Sequence, residues 1–297
     1  MRVFLTGATG FIGARIVPEL IGAGHSVLGL TRSEAGVAAL TAAGAEPHRG
    51  DIEDLDSLRA GAAAADAVIH TAFDHDFSNF VANCEKDRRV ILAMGEVLKG
   101  SDRPFLITSG VGMGGGTPGK PATEDVFDRT HPNPRIASEE AGEALKAEGV
   151  DVRVIRLPQV HDPVKQGLIS PLIEIARAKG VSAWVGEGLN RWPAAHVSDV
   201  AELYRLALDK GQKNARYNAV AEEGVTAREI AETLGAGLGL PAVSVTPGEA
   251  ASHFGWMGMF AGLDMVASSA RTRQALGWTP TGPGLIADLK AMDYSAA

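Results

Sequence analysis

The chain has 297 residues, with 28 basic and 36 acidic side chains for a formal net charge of −8, and 45% of it is hydrophobic. That length buries a core without disulfide or metal staples, and the ordinary hydrophobic fraction excludes a disordered chain. The acidic balance excludes nucleic-acid backbones and anionic membranes as main partners, which leaves a small-molecule substrate and room for one local basic pocket that holds a phosphate. The lone cysteine, Cys84, excludes an intramolecular disulfide and a Cys-rich zinc site, and in an Ala-containing helix it reads as a small buried hydrophobe. No run of about 18 apolar residues marks a membrane span. The apolar run Met1–Leu5 is too short for a signal peptide before Thr6 and Gly7 break it, so the expected location is the cytoplasm, as a monomer or homodimer.

Apolar runs and helical patterns alternate from the first residue. Val3-Phe4-Leu5 is a short strand ending at Thr6-Gly7, and a helix is predicted over 11–22, with Ile12, Ile16, Val17 and Leu20 on one face. Residues 26–31 form a second strand, and Ser33 caps the next helix. A weak third strand over 46–48 ends at Gly50-Asp51, and a short helix covers 55–60. Further strands are predicted over 67–71, 105–108 and 152–156, with helices over 77–98 and 134–146 between them. Strand–helix alternation with short connections implies a parallel sheet covered on both faces, and right-handed crossovers leave the doubly wound architecture.

Beyond Leu157 the regularity weakens. Helices are expected near 171–179, 198–210, 226–234 and 269–276, and strands near 182–185, 217–220 and 242–245. The fold class is therefore α/β: a doubly wound parallel sheet with a smaller mixed lobe. Residues 1–160, with a return near 194–220, are assigned to the sheet domain, and 161–193 with 221–297 to the lobe. The loosest segment is the Gly-rich loop 112–121.

Thr6-Gly7-Ala8-Thr9-Gly10-Phe11-Ile12-Gly13 follows the first strand directly and opens the first helix. Gly7 permits a tight turn, Gly10 lets backbone approach a pyrophosphate, and Gly13 lets helix and strand pack closely. Free N–H groups and the helix dipole then attract the anion, so the turn, with Thr9, Phe11 and Ile12, is assigned to a dinucleotide. Proteins that bind NAD place an acidic residue at the end of the second strand, yet positions 30–33 hold no Asp or Glu. Arg32 stands there and can fork onto a 2′-phosphate, which implies NADP (NADPH). Asp51 and Ile52 after the third strand face the adenine; Thr71, Ala72 and Phe73 after the fourth, and Ser109 at the fifth, complete the strand-end set.

These residues resemble the short-chain dehydrogenase/reductase superfamily, in the extended-like, atypical branch of NADP-dependent epimerase/dehydratase-like proteins. The TGxxGxxG turn, the GD after the third strand, the HxA of the fourth and the TSG of the fifth match. Further on, Arg156-Leu157-Pro158-Gln159-Val160-His161-Asp162-Pro163 resembles the RxxNVYGP stretch of sugar-nucleotide epimerases, 186–201 resembles a segment ending in HVxDVA, and Leu276-Gly277-Trp278-Thr279-Pro280 resembles LGWxP. The resemblance implies a coenzyme-binding sheet, with Pro158 among the coenzyme contacts, and a small substrate lobe. It also implies a catalytic YxxxK pair, which this chain lacks. None of Tyr204, Tyr217 and Tyr294 has a Lys four residues on, and by spacing from Ser109 the pair is replaced by Arg135 and Glu139. Arg135 cannot act as a general acid near neutral pH. Glu139 is expected to pair with Arg135 one turn away. The family's helix Asn is matched by Asp87, with Asn83 as rival.

The candidate catalytic set is therefore Ser109, Asp87 and His161. Ser109 is placed to hydrogen-bond a substrate carbonyl. His70, His75 and His161 follow strands aimed at the coenzyme, and His161 takes the Tyr of RxxNVYGP, where a loop histidine with a structural role is the rival reading. Asp87 is read either as a base or as the ion-pair partner of Arg88. Asp74-His75-Asp76 reads as a helix-start acidic cap rather than a metal site, and no metal is expected. The stretches 189–193 and 254–260 suit either a pocket wall or lobe core, with Asn190 and Arg191 able to orient a polar group. Three readings follow: an NADP(H)-dependent oxidoreductase on a small carbonyl or alcohol, a coenzyme-binding redox sensor or regulatory protein without turnover, and an epimerase or dehydratase with tightly held coenzyme.

Overall fold

Strand β1 (Arg2–Thr6) shows how the sheet is built. Successive side chains of a strand point to opposite faces. Val3 and Leu5 enter a core shared with Ile16, Val17 and Tyr204, whereas Phe4 enters one shared with Leu58, Ile91 and Phe105. Both faces of β1 are covered, as burial within a parallel sheet requires. The computed structural model describes residues 1–115 and 119–295.

After β1 come α1 (Gly13–Gly22), β2 (Ser26–Thr31), α2 (Glu34–Ala42), β3 (Glu46–Arg49), α3 (Leu55–Ala63), β4 (Ala67–His70), α4 (Phe80–Leu98), β5 (Pro104–Gly110), α5 (Ile136–Ala147) and β6 (Asp151–Leu157). They are followed by β7 (Gln159–His161), α6 (Ile169–Lys179), β8 (Ser182–Val185), β9 (Arg191–His196), α7 (Val197–Lys210), β10 (Arg216–Asn218), β11 (Glu222–Thr226), α8 (Ala227–Leu238) and β12 (Ala242–Val245). Four short helices close the chain: α9 (Ala250–Phe254), α10 (Gly258–Ala261), α11 (Ala270–Leu276) and α12 (Leu285–Ala291).

The main sheet has seven strands in the order β10-β6-β5-β4-β1-β2-β3, each pair of neighbours parallel. Chain direction along the sheet reverses between β1 and β4, the switch point beside which ligands bind in open α/β folds. The α/β, doubly wound expectation holds. The predicted strand near 217–220 is its edge, with Arg216–Asn218 paired to Val154–Arg156. The first part of the Gly-rich loop, Val111–Gly114, is a short 3₁₀ helix, and 116–118 lie outside the described residues.

Strands β7, β9 and β11 escaped the sequence pattern. They form a separate sheet, with β9 parallel to β7 and antiparallel to β11. The physical reason is legible in β9. Pro193 has no N–H for a ladder, and the β9–β11 register shifts just there, between the pairs Trp192↔Val225 and Ala194↔Glu222. Proline inside a strand hides the alternation that marks one. The parallel pair β8–β12 and the helices around it enclose the lobe core, where Ile173, Trp192, Ile230, Phe254, Met257 and Leu285 meet. Among the described residues no helix is long and apolar enough to cross a membrane.

Leu5 is fully enclosed at the centre of this construction. Leu5→Ala should lower stability by about 2–5 kcal/mol, read from denaturant unfolding, because β1 is locked on both faces and the site cannot collapse around the void.

Candidate functional site

The glycine turn carries its function in its backbone. Gly7 has φ +69°, and a Cβ there would lie 2.7 Å from Thr71 Oγ1. A Cβ on Gly13 would come within 2.0 Å of the Gly7 carbonyl oxygen, so only glycine lets α1 start this close to β1. Gly10 differs: a Cβ there meets only the Gly7 carbonyl oxygen, at 3.1 Å, and otherwise faces outward. Gly10 N–H donates to Gly7 C=O at 2.9 Å and closes the turn. No described residue accepts from the N–H groups of Phe11, Ile12 or Gly13. Thr9 lies exposed beside them. Two glycines are demanded by packing and one is left for a ligand, and this cradle fits a dinucleotide pyrophosphate.

At the end of β2, Ser33 Oγ accepts from Gly36 N–H at 3.1 Å and caps α2. Arg32 just before it has a side chain 82% exposed, and its Nη1 lies 3.7 Å from Asp51 Oδ2. Glu34 is spent on Arg49. The strand end therefore offers a guanidinium with its fork open to solvent, beside the Asp51-Ile52 turn. At the end of β4, Thr71 Oγ1 donates to Thr6 C=O at 2.8 Å and Ala72 N–H to Thr6 Oγ1 at 3.3 Å, which draws Thr71, Ala72 and Phe73 against the glycine turn. Pro158 is half-buried between β6 and β7.

Beneath these strand ends lies a connected polar network. His70 Nδ1 bonds Thr6 Oγ1 at 2.6 Å, and His70 Nε2 bonds Asp87 Oδ1 at 2.9 Å. A carboxylate can only accept, so the Nε2–H donates to Asp87. The other Asp87 oxygen, Oδ2, accepts from Ser138 Oγ at 2.6 Å and from Arg135 Nη1. Arg135 Nη2 donates to Thr108 C=O at 3.1 Å, and its guanidinium lies 4.1 Å from the centre of the Phe73 ring. Thr108 Oγ1 donates to His70 C=O at 2.6 Å, so the Tyr204 hydroxyl, also at 2.6 Å, donates to Thr108. Burial opposes the Asp87 charge, but Arg135, His70 and the hydrogen bonds of His70 and Ser138 outweigh it and hold the carboxyl far below the usual range.

Two expected pairings are corrected by this geometry. Asp87 does not pair with Arg88, which binds Glu85 and Glu140 on the outer side of α4. Asp87 points inward, since a helix turns a neighbouring residue by roughly 100°. Nor does Glu139 pair with Arg135. Glu139 is fully buried and held by Arg156 at 2.8 and 2.9 Å and by Arg216 at 3.1 Å. A strand-borne arginine beneath α5 reaches it first. The candidate catalytic residues thus separate. Ser109 and Asp87 both lie at this centre, Ser109 buried with its Oγ unpartnered among the described residues. His161 belongs to another network, fully buried with Nδ1 2.6 Å from Asp288 Oδ2, and burial outweighs Asp288 to lower its pKa. His75 sits on the rim, edge-on to Phe73 at 5.2 Å, with a pKa lowered by burial and then by the Arg135 charge.

Asp76 accepts from Ser78 N–H as the cap of a short 3₁₀ turn, and Asp74 binds Lys86. Cys84 is buried, and burial pushes its thiol up to about 11. The 254–260 stretch divides: Phe254, Met257 and Phe260 are lobe core, whereas Trp256 and Met259 are exposed. Arg191 is bound to Asp264, and Asn190 donates to the Ala261 and Leu263 carbonyls, so both brace the lobe. Ser138 and Tyr204 were missed. Ser138 lies in the segment that replaces YxxxK, but nothing in its spacing marked it, and Tyr204 joins only because α7 packs across β5.

The profile of the NAD dependent epimerase/dehydratase family matches residues 3–219. The chain belongs to this family. It is 46% identical to an uncharacterized protein of Schizosaccharomyces pombe over 295 residues, 99% of this chain and 100% of that one. It is 28% identical to the UDP-glucose 4-epimerase of Streptomyces lividans, over 94% of this chain and 92% of that one. Among solved structures, the Thermus thermophilus UDP-glucose 4-epimerase in complex with NAD superposes with a TM-score of 0.74 at 22% identity, covering 98% of this chain and 97% of that one. The dTDP-glucose 4,6-dehydratase DesIV of Streptomyces venezuelae, with NAD and TYD bound, gives 0.76 at 20% identity, covering 98% and 95%. The family thus binds nicotinamide dinucleotides, and these neighbours hold NAD.

The Asp87 environment has a pH consequence. Because its folded pKa lies below the unfolded value of about 3.9, its stabilisation is complete above roughly pH 5 and is lost as acid drives the pH down toward the folded pKa. Asp87→Asn should flatten the fall in unfolding free energy between about pH 5 and pH 2 by roughly 1–3 kcal/mol, measured by denaturant titration at each pH.

Proposed function

We propose that this protein is an NADP(H)-dependent oxidoreductase acting on a small carbonyl or alcohol without the Tyr–Lys pair. The observation that carries the coenzyme choice is Arg32, an open guanidinium at the end of β2 where an acidic residue would select against a 2′-phosphate. The glycine turn would hold the pyrophosphate, Asp51 and Ile52 the adenine, and Thr71, Ala72, Phe73 and Pro158 the nicotinamide half. When bound, the coenzyme supplies hydride transfer. Ser109 is the hydrogen-bond donor to the substrate oxygen. Arg135, paired to Asp87, releases no proton near neutral pH, so the proton comes from water or a histidine. Residues 1–160 and 194–220 bind the coenzyme, while 161–193 and 221–297 shape the substrate side. In support, β10 belongs to the main sheet and the lobe core draws mainly on 161–193 and 221–297, although Leu276 and Trp278 pack into the sheet core.

Coenzyme binding without turnover is a second reading, favoured by the closed Asp87–Arg135–Ser138 contact at the position of the missing Tyr. A screen of NADPH consumption over aldehydes, ketones and quinones separates the two. Consumption establishes the oxidoreductase, binding without consumption establishes the second reading, and tightly copurifying coenzyme would point to an epimerase or dehydratase.

Two variants test the coenzyme site. Arg32→Ala should weaken NADPH about tenfold or more and leave NADH nearly unchanged, by fluorescence titration, because one charge-assisted fork is lost. Equal losses for both would place the 2′-phosphate elsewhere. Gly10→Val should abolish binding of both coenzymes while circular dichroism stays native, since a side chain at Gly10 projects outward into the pyrophosphate cradle.

A further inference from the structure

The pleat of β5 turns Ser109 to the face covered by α4 and α5, the face that carries the Arg135 partners Asp87 and Ser138. Leu106 shares the core of Tyr204, and Thr108, two residues on, bonds Tyr204. Phe105 and Ile107 face the other way, into the core formed with Val90 and Ile91 of α4 and Ala141 and Leu145 of α5. Ser109 continues that second side, toward the two helices that bring Asp87 and Ser138 to Arg135. Its Oγ is buried and has no partner among the described residues. A buried hydroxyl without a partner costs free energy, so such an atom at a strand end points to a ligand.

Arg135 is unfinished in the same way. Nη1 is spent on Asp87 and Ser138, and Nη2 gives one N–H to Thr108 C=O. Nε–H and the second Nη2 N–H have no acceptor among the described residues. Its side chain is 13% exposed, so the group is not sealed. Nε and Nη2 are the pair of nitrogens that this chain uses to grip carboxylates elsewhere. Arg156 holds Glu139 through them at 2.8 and 2.9 Å, Arg153 holds Asp151 at 3.2 and 2.8 Å, and Arg191 holds Asp264 at 3.2 and 2.9 Å. Glu139 cannot fill this role for Arg135, being engaged by Arg156 and Arg216.

We propose that the free Nε–Nη2 edge of Arg135 is the receptor for a substrate carboxylate, beside the Ser109 hydroxyl that donates to the carbonyl oxygen, which makes the substrate class a small carbonyl compound carrying a carboxylate beside or near the carbonyl, as in a 2-oxo acid. This rests on the active-site reading above. Asp87, with His70 and Ser138 behind it, acts as a positioning residue that fixes the guanidinium plane against Phe73. An arginine cannot replace a tyrosine as proton donor, but its planar fork recognises a carboxylate bidentately where a tyrosine cannot.

The test is calorimetric titration of oxamate, a 2-oxo-acid-like carboxylate, and of its uncharged methyl ester into the full chain, with and without NADPH. The expected result is saturable oxamate binding, none by the ester, and a loss of about tenfold in Arg135→Lys, which keeps a cation beside Asp87 but removes the fork. Ser109→Ala should weaken oxamate severalfold, and it carries the test if the lysine variant unfolds. Arg135→Lys should still bind NADPH, which shows that the variant is folded. Equal binding of acid and ester, unaltered binding in both variants, or no oxamate binding by the parent chain overturns the proposal. Failure of NADPH itself to bind overturns the coenzyme reading instead, and the titration without NADPH still decides the carboxylate.

Discussion

The Asp87 carboxylate is the constraint around which this centre is arranged. A carboxylate removed from water must be matched by cations and donors, because its desolvation otherwise exceeds anything the fold returns. Asp87 is matched by three residues from two elements: His70 at the end of β4, and Arg135 and Ser138 at the start of α5. Through His70 it reaches Thr6 on β1, and through Arg135 and Thr108 it reaches β5. The carboxyl ends of β1 and β4, which border the switch point, and of the adjoining β5 are thereby linked. Any ligand placed there meets a rigid floor.

The same centre shows how a family site is rebuilt when its signature changes. Arginine and glutamate at the two signature positions would leave two buried charges. The fold meets each locally: Arg135 by Asp87, and Glu139 by Arg156 and Arg216. The two pairs are separate, so the charge at the substrate side does not depend on the pair beneath α5. What survives is a guanidinium with an unused edge and a serine with an unused hydroxyl. Such a site favours orientation and electrostatic polarisation over proton transfer.

The lobe is tied to the sheet domain by polar and aromatic contacts. Asp199 of α7 accepts from the N–H groups of Thr281 and Gly282, the Trp278 indole N–H donates to the Asp199 carbonyl, and the Phe77 ring stacks on Trp256 at 4.6 Å. The last contact joins the segment after β4 to the α9–α10 turn. It sets the aromatic rim of Phe73, His75 and Phe77 against the lobe, above the Arg135 guanidinium.

The amino-acid sequence by itself determined the doubly wound sheet, the glycine turn and the open Arg32 end of β2. These are local properties: apolar periodicity, backbone conformations that only glycine adopts, and the residue type at a strand end. Its reading of Asp87, Arg88, Arg135 and Glu139 went astray, because proximity in sequence on a helix says nothing about which side chain a neighbouring strand or helix presents. Arg156 and His70 are remote from their partners along the chain, and only the packing of α4 and α5 on β4, β5 and β6 brings them together. The sheet β11-β9-β7 was hidden for a related reason, since Pro193 and a register shift break the alternation that marks a strand. Backbone preference acts within a few residues and is written in them. The pairing of buried charges is a long-range balance between desolvation and Coulomb attraction, and tertiary structure alone decides it.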